Sequence, residues 1–186
     1  MNTDKINKAL EILKNDDACI FPADTVYGLF CRALSPRAVS RVYRIKGRSK
    51  KKPLQLFLAD KKDIFRYAAA TPALKRRISG LLPGPYTVIL KLNREYRTRF
   101  SFLKTGTAGF RVIKSSLING ILKKLEEPLA ATSANISGNK SPRKFSEIEA
   151  IVMRGVRMAV KDDKKVKGKP SKVLDFTGKK EKVLRA

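Results

Sequence analysis

Ile6, Leu10 and Leu13 recur three and four positions apart, which places them on one face of a helix that Thr3 can cap. The short apolar run "ACIF" (18–21) predicts a strand. Ser35-Pro36 has the form of an N-cap and first helical position; Val39, Val42 and Tyr43 then share a face, and Gly47 is the stop. "LQLFLA" (54–59) predicts a second strand, and residues 61–82 two short helices broken at Thr71-Pro72. Pro83-Gly84-Pro85 forces a stiff turn into the strand "YTVILKL". Then come the strand "AGFRVI" (108–113), the helix "SLINGILKKL" (116–125) and the strand "PLAATS" (128–133), which leads into a glycine-bearing loop. A helix near 145–153 and the short strands "KVLDF" and "KVLR" complete the pattern. Strands mostly alternate with helices, so the expectation is an α/β sheet covered by helices, with some antiparallel pairing.

Length adds that one domain, residues 1–186, suffices, and 42% apolar residues are enough for a buried core. Charge changes the picture more. Lys and Arg number 42 against 16 Asp and Glu, a formal net charge of +26. That balance argues for a polyanionic partner, nucleic acid foremost, although lysines spread along the whole chain also fit general surface basicity. Cys19 and Cys31 are no disulfide framework, which points to a reducing cytoplasm. Without histidine, Ser-His and Cys-His nucleophile systems and the usual zinc sites are excluded. "MNTDKINKAL" has no apolar signal region, and no stretch approaches the roughly 20 apolar residues of a membrane span, so no membrane partner is expected.

Three polar clusters follow predicted strands, where α/β sheets tend to bind ligands. In "FPADTVYGL" (21–29), Asp24 and Thr25 stand beside Gly28, which allows a close backbone approach; an ordinary Asp-Thr turn is the plainer reading. In Lys46-Gly47-Arg48 the cations would point about 200° apart on a continuous helix. A left-handed Gly47 would let them converge on one anion, whereas a solvated helix end explains them in isolation. In "ATSANISG" (131–138), Ser133 and Asn135 face the same way if the segment is extended, with Gly138 allowing close approach of the backbone; a helix cap or turn fits equally well.

Together the clusters resemble the YrdC family, the threonylcarbamoyl-AMP synthases, in its short single-domain (TsaC-like) form. The matching landmarks run in order along nearly the whole chain: "PADTVYGL", "YRIKGR" with "KPL", "LLPGPYTVIL", "GFRV", "PLAATSANISG", "SKVLDF" and "VLR". The family's Lys-x-Arg and Ser-x-Asn signature is present as Lys46, Arg48, Ser133 and Asn135. The resemblance implies a twisted mixed sheet flanked by helices, with a concave, positively charged cavity. It implies synthesis of threonylcarbamoyl-AMP and pyrophosphate from L-threonine, bicarbonate and ATP with Mg2+, no metal being held by the protein alone. The product would pass to a threonylcarbamoyl transferase complex for tRNA modification. On this resemblance Lys46 and Arg48 serve the ATP phosphates, Ser133 and Asn135 the nucleotide and the adjoining substrate group, and Arg185 the nucleotide. Thr25, Arg111 and Ser171 hold threonine.

The chain departs from the family pattern at several points. Ala23 stands where a Thr is usual, Ser49 where a Pro often follows Lys-x-Arg, and Lys172 for the Thr after Ser171. "RVIK" replaces "RVP", Phe57 stands where long-form members carry histidine, and the sequence ends at Ala186 where many members continue. The alternative function is a non-catalytic YrdC-like protein that binds tRNA or other RNA through its basic surface.

Overall fold

The computed structural model describes residues 3–178 and 180–186. The helices are α1 (Thr3–Lys14), α2 (Pro36–Lys46), α3 (Ile64–Tyr67), α4 (Pro72–Leu81), α5 (Ser116–Leu125) and α6 (Ala150–Arg154). The strands are β1 (Cys19–Pro22), β2 (Tyr27–Arg32), β3 (Gln55–Phe57), β4 (Tyr86–Lys91), β5 (Thr107–Arg111), β6 (Leu129–Ser133), β7 (Met158–Ala159), β8 (Lys172–Asp175) and β9 (Lys182–Arg185). Among the described residues these strands form one mixed sheet in the order β7-β1-β2-β6-β3-β5-β4-β8-β9. The pairs β1–β7, β3–β5 and β4–β8 are parallel and the others antiparallel.

Local chemistry sets the boundaries of α2. The Ser35 side chain accepts from the Ala38 amide at 3.1 Å, Pro36 occupies the first turn, and Gly47 at φ 56°, ψ 34° ends the helix in the left-handed region. The sheet buries both faces. On one, Ile20, Tyr27, Leu29, Leu56, Val88 and Phe110 pack with Val39 and Val42 of α2 and with the rings of Tyr67, Tyr96 and Phe100. On the other, Cys19, Phe21, Phe30, Phe57 and Ala131 pack beneath α1 and α5, through Ile6, Leu10, Leu13, Ile118 and Ile121. Gly120 lets α1 lie close, since a Cβ there would stand 2.6 Å from Ile6 Cδ1. The register continues this second face through Gly28 opposite Ser133, Ala131 opposite Gln55, and Arg111 opposite Phe57. These positions line a cavity.

Three expectations change. "FPADTVYGL" does turn at Asp24-Thr25 after β1, but its Tyr27 already begins a strand: β1 and β2 form a hairpin closed by the Ala23 amide on the Val26 carbonyl. Its second strand buries Tyr27 and Leu29 on one face and Phe30 on the other, so no apolar–polar alternation marks it. The helix near 145–153 divides into a 3-10 turn at Phe145–Glu147 and the short α6, and the two-residue β7 was not foreseen. Thr3 lies inside α1, and the residue that would cap it lies outside the described ones. No helix among the described residues is long and apolar enough to cross a membrane.

Candidate functional site

The cavity, about 170 Å³, is floored by β2, β3, β5 and β6 and walled by the segments around residues 23–26, 48–53, 141 and 170–171. Arg48, Arg111 and Arg185 line it with the hydroxyls of Thr25, Thr132, Ser133, Ser141 and Ser171 and the amide of Gln55. No carboxylate-bearing residue lines it, so the cavity favours anions. Its volume lies below the roughly 300–1,000 Å³ usual for ligand pockets.

Arg111 is the most enclosed of the three arginines, at 4% exposure. It ends β5, and its guanidinium lies 5.1 Å from the centre of the Phe57 ring. One terminal nitrogen donates to Thr25 Oγ1 at 3.1 Å and the other to Asp24 Oδ1. Nε is buried without a hydrogen-bond partner. Burial pushes Asp24 above the usual carboxylate range and lowers the proton affinity of Arg111, each shift partly offset by the partner's charge. Of five guanidinium N–H groups, these two bonds occupy two, which leaves donors for a ligand carboxylate.

Arg48 follows the left-handed Gly47 and folds back onto its own loop. Nε and a terminal nitrogen donate to the Lys52 and Pro53 carbonyls at 3.0 and 3.1 Å, and Tyr43 Oη donates to the same Lys52 carbonyl. Arg185, on the edge strand β9, donates to the Ser171 carbonyl and to Ser171 Oγ, which also shares a 2.8 Å hydrogen bond with Thr87.

Six of the eight residues to which the family resemblance gives a substrate role therefore meet in one cavity: Thr25, Arg48, Arg111, Ser133, Ser171 and Arg185. Lys46 and Asn135 are not among its lining residues. Gly47 does adopt the left-handed conformation, yet Lys46 and Arg48 do not converge: the Lys46 ammonium turns away from the lining to the Ser133 and Asn135 carbonyls. Burial, and secondarily Arg48, lowers its pKa to about 8. Ser133 and Asn135 do not share an extended segment either, because β6 ends at Ser133. The Asn135 amide instead donates to the Ile136 and Asn139 carbonyls at 2.7 and 2.8 Å. Gly28 is required by the fold, since a Cβ there would lie 2.5 Å from the Phe30 ring.

Gln55 and Ser141 join the lining without having been singled out, and Asp24 gains a definite contact with Arg111. Gln55 did carry a signal, as the one polar residue inside the apolar run "LQLFL". Ser141 had none, because its place depends on the path of the 134–144 segment.

Comparison with known proteins adds an independent line. The family model Sua5, YciO and YrdC, described as "Telomere recombination", matches residues 11–186. A Methanocaldococcus jannaschii protein named putative threonylcarbamoyl-AMP synthase is 34% identical over 178 residues, covering 94% of this chain and 83% of the relative. The human threonylcarbamoyl-AMP synthase is 32% identical over 147 residues, covering 79% of this chain and 52% of the human protein. Among solved structures, Pyrococcus abyssi Sua5 complexed with L-threonine aligns with a TM-score of 0.84 at 26% identity, covering 97% of this chain and 53% of that one. The chain thus spans about half the length of the human and P. abyssi proteins.

Proposed function

Because the chain belongs to the Sua5/YciO/YrdC family, we propose that it is a threonylcarbamoyl-AMP synthase, transferring the adenylyl group of ATP to threonine N-carboxylate. The observation that carries this reading is the lining itself: three guanidinium groups, several hydroxyls and no carboxylate. Such a lining suits the carboxylate and phosphates of these substrates. The P. abyssi Sua5 complex supports threonine as one of them.

The chemistry needs no nucleophile from the protein. Threonine's amine adds to carbon dioxide or bicarbonate, with loss of water in the second case, to give a carbamate. A carbamate oxygen attacks the α-phosphorus, the bond to the β-phosphate oxygen breaks, and pyrophosphate leaves. The protein's part is to orient the reactants and to offset charge. Arg111 would hold the threonine carboxylate through its unused donors, with Thr25 fixing the guanidinium and Ser171 close by. Arg48 would leave the Lys52 and Pro53 carbonyls for the phosphates, while Ser133 and Arg185 serve the nucleotide.

Among the described residues no group of three or more His, Cys, Asp and Glu comes together to hold a metal. Magnesium would come with the ATP phosphates as part of the substrate. The +26 charge supports contact with tRNA or another RNA, and the product's reactivity calls for a threonylcarbamoyl transferase complex to take it over. Cys19 and Cys31, both free and buried, fit a reducing compartment such as the cytoplasm.

The test is pyrophosphate release from ATP by the purified protein. It should require threonine and bicarbonate together. Release indifferent to threonine would make the protein an ATPase, and no release under any condition would favour the RNA-binding alternative.

A further inference from the structure

The loop that begins at Ser133 is held by the side chains of Lys46 and Glu149. Lys46, the last residue of α2, is 1% exposed, and its ammonium donates at 2.5 Å to the carbonyls of both Ser133 and Asn135. Asn135 Oδ1 lies 3.4 Å from the same nitrogen. A lysine has three donors and no acceptor, so these oxygens occupy its whole capacity. The Lys46 carbonyl in turn accepts from the Ser137 amide at 2.9 Å, so main chain and side chain of one residue grip positions 133 to 137. Glu149 completes the grip from α6's N-terminal side, accepting from the Ile136 amide and from Asn139 Nδ2, each at 2.6 Å.

We propose that Lys46 is a positioning residue that acts through Ser133, fixing the end of β6 and the loop that runs from it toward Ser141, and does not contact the ATP phosphates. The assignment rests on the synthase reading of the cavity, but the contacts stand without it. Gly47 divides the labour. Its left-handed turn sends Lys46 to the carbonyls behind the end of β6 and Arg48 to the lining, so two cations two positions apart serve different sides of the same surface. Turning Lys46 toward a phosphate would strip both carbonyls of the ammonium that serves them, in a buried place where unpaired polar groups are costly.

Three measurements decide it, none needing turnover. The first is a double-mutant cycle on ATP–magnesium binding by calorimetry with Lys46→Met, Ser133→Ala and the double variant. If Lys46 acts through Ser133, the double variant binds within about twofold of the weaker single; if the losses multiply, Lys46 acts on the nucleotide independently and the proposal falls. The cycle is read beside hydrogen exchange, which in Lys46→Met should rise at least tenfold at the amides of residues 134–137 and stay unchanged in α4. Unchanged exchange at 134–137 would overturn the proposal.

Should Lys46→Met fail to fold, the wild-type protein supplies the third measurement, the NMR resonance of the Lys46 ammonium with and without ATP–magnesium. It should stay slow to exchange and barely shift, and a large shift on nucleotide addition would overturn the proposal. A protein that binds no ATP at all would sink the synthase reading, while hydrogen exchange would still judge the grip on the loop.

Discussion

Arg111 shows how one side chain serves both fold and site. Asp24 and Thr25 hold two of its donors, the Phe57 ring supports its face, and buried Nε is left over. A lysine could keep the charge but not this fork. Arg111→Lys should therefore raise the threonine KM at least tenfold, about 1.4 kcal/mol, with ATP binding within twofold of wild type, measured by steady-state kinetics and calorimetry. Lys46 makes a second prediction through its proton. Its folded pKa of about 8 lies below the ordinary 10.5, so between those values the unfolded chain binds more protons than the folded one. The Lys46 contribution to stability then grows as pH rises from about 8 toward 10.5, and 15N NMR should find the Lys46 midpoint near 8. A midpoint above 10 would contradict the burial that lowers it.

The elements show what could be read from the sequence and what could not. The pattern Ser35-Pro36 to Gly47 marks both ends of α2 because capping chemistry is local. β2 escaped because burial on both faces erases its period. The direction of the Lys46 side chain escaped too, since it depends on carbonyls 87 and 89 positions away in the chain. Gly47 is the element-scale test. A Cβ there meets nothing within 4 Å, so Gly47→Ala suffers only from φ 56°. It should cost about 1 kcal/mol by urea unfolding, as backbone strain of that kind does. No loss of stability would mean that α2 ends without the left-handed turn.

At the scale of the whole molecule, the order of short motifs along the chain was more informative than any one of them. Lys-x-Arg alone fits a solvated helix end, and Ser-x-Asn alone fits a turn. The fold brings Arg48 and Thr25 on the walls and Ser133 and Arg111 on the floor to one cavity. Net charge acts at this scale as well. With 42 basic residues, association with RNA should weaken at least tenfold between about 50 and 200 mM salt, by filter binding, as released counterions dictate. Arg48→Ala should leave that RNA affinity within twofold while abolishing synthesis, because one charge among 42 is a small share of the footprint.

The central claim is that the cavity joins threonine, a one-carbon acid and the adenylyl group of ATP. Mass spectrometry of the product made with 13C-bicarbonate tests it most directly. Threonylcarbamoyl-AMP carrying one 13C, formed only when threonine and ATP are both supplied, is the predicted result. ATP consumption with no labelled adduct, or an adduct that forms without threonine, would contradict the account.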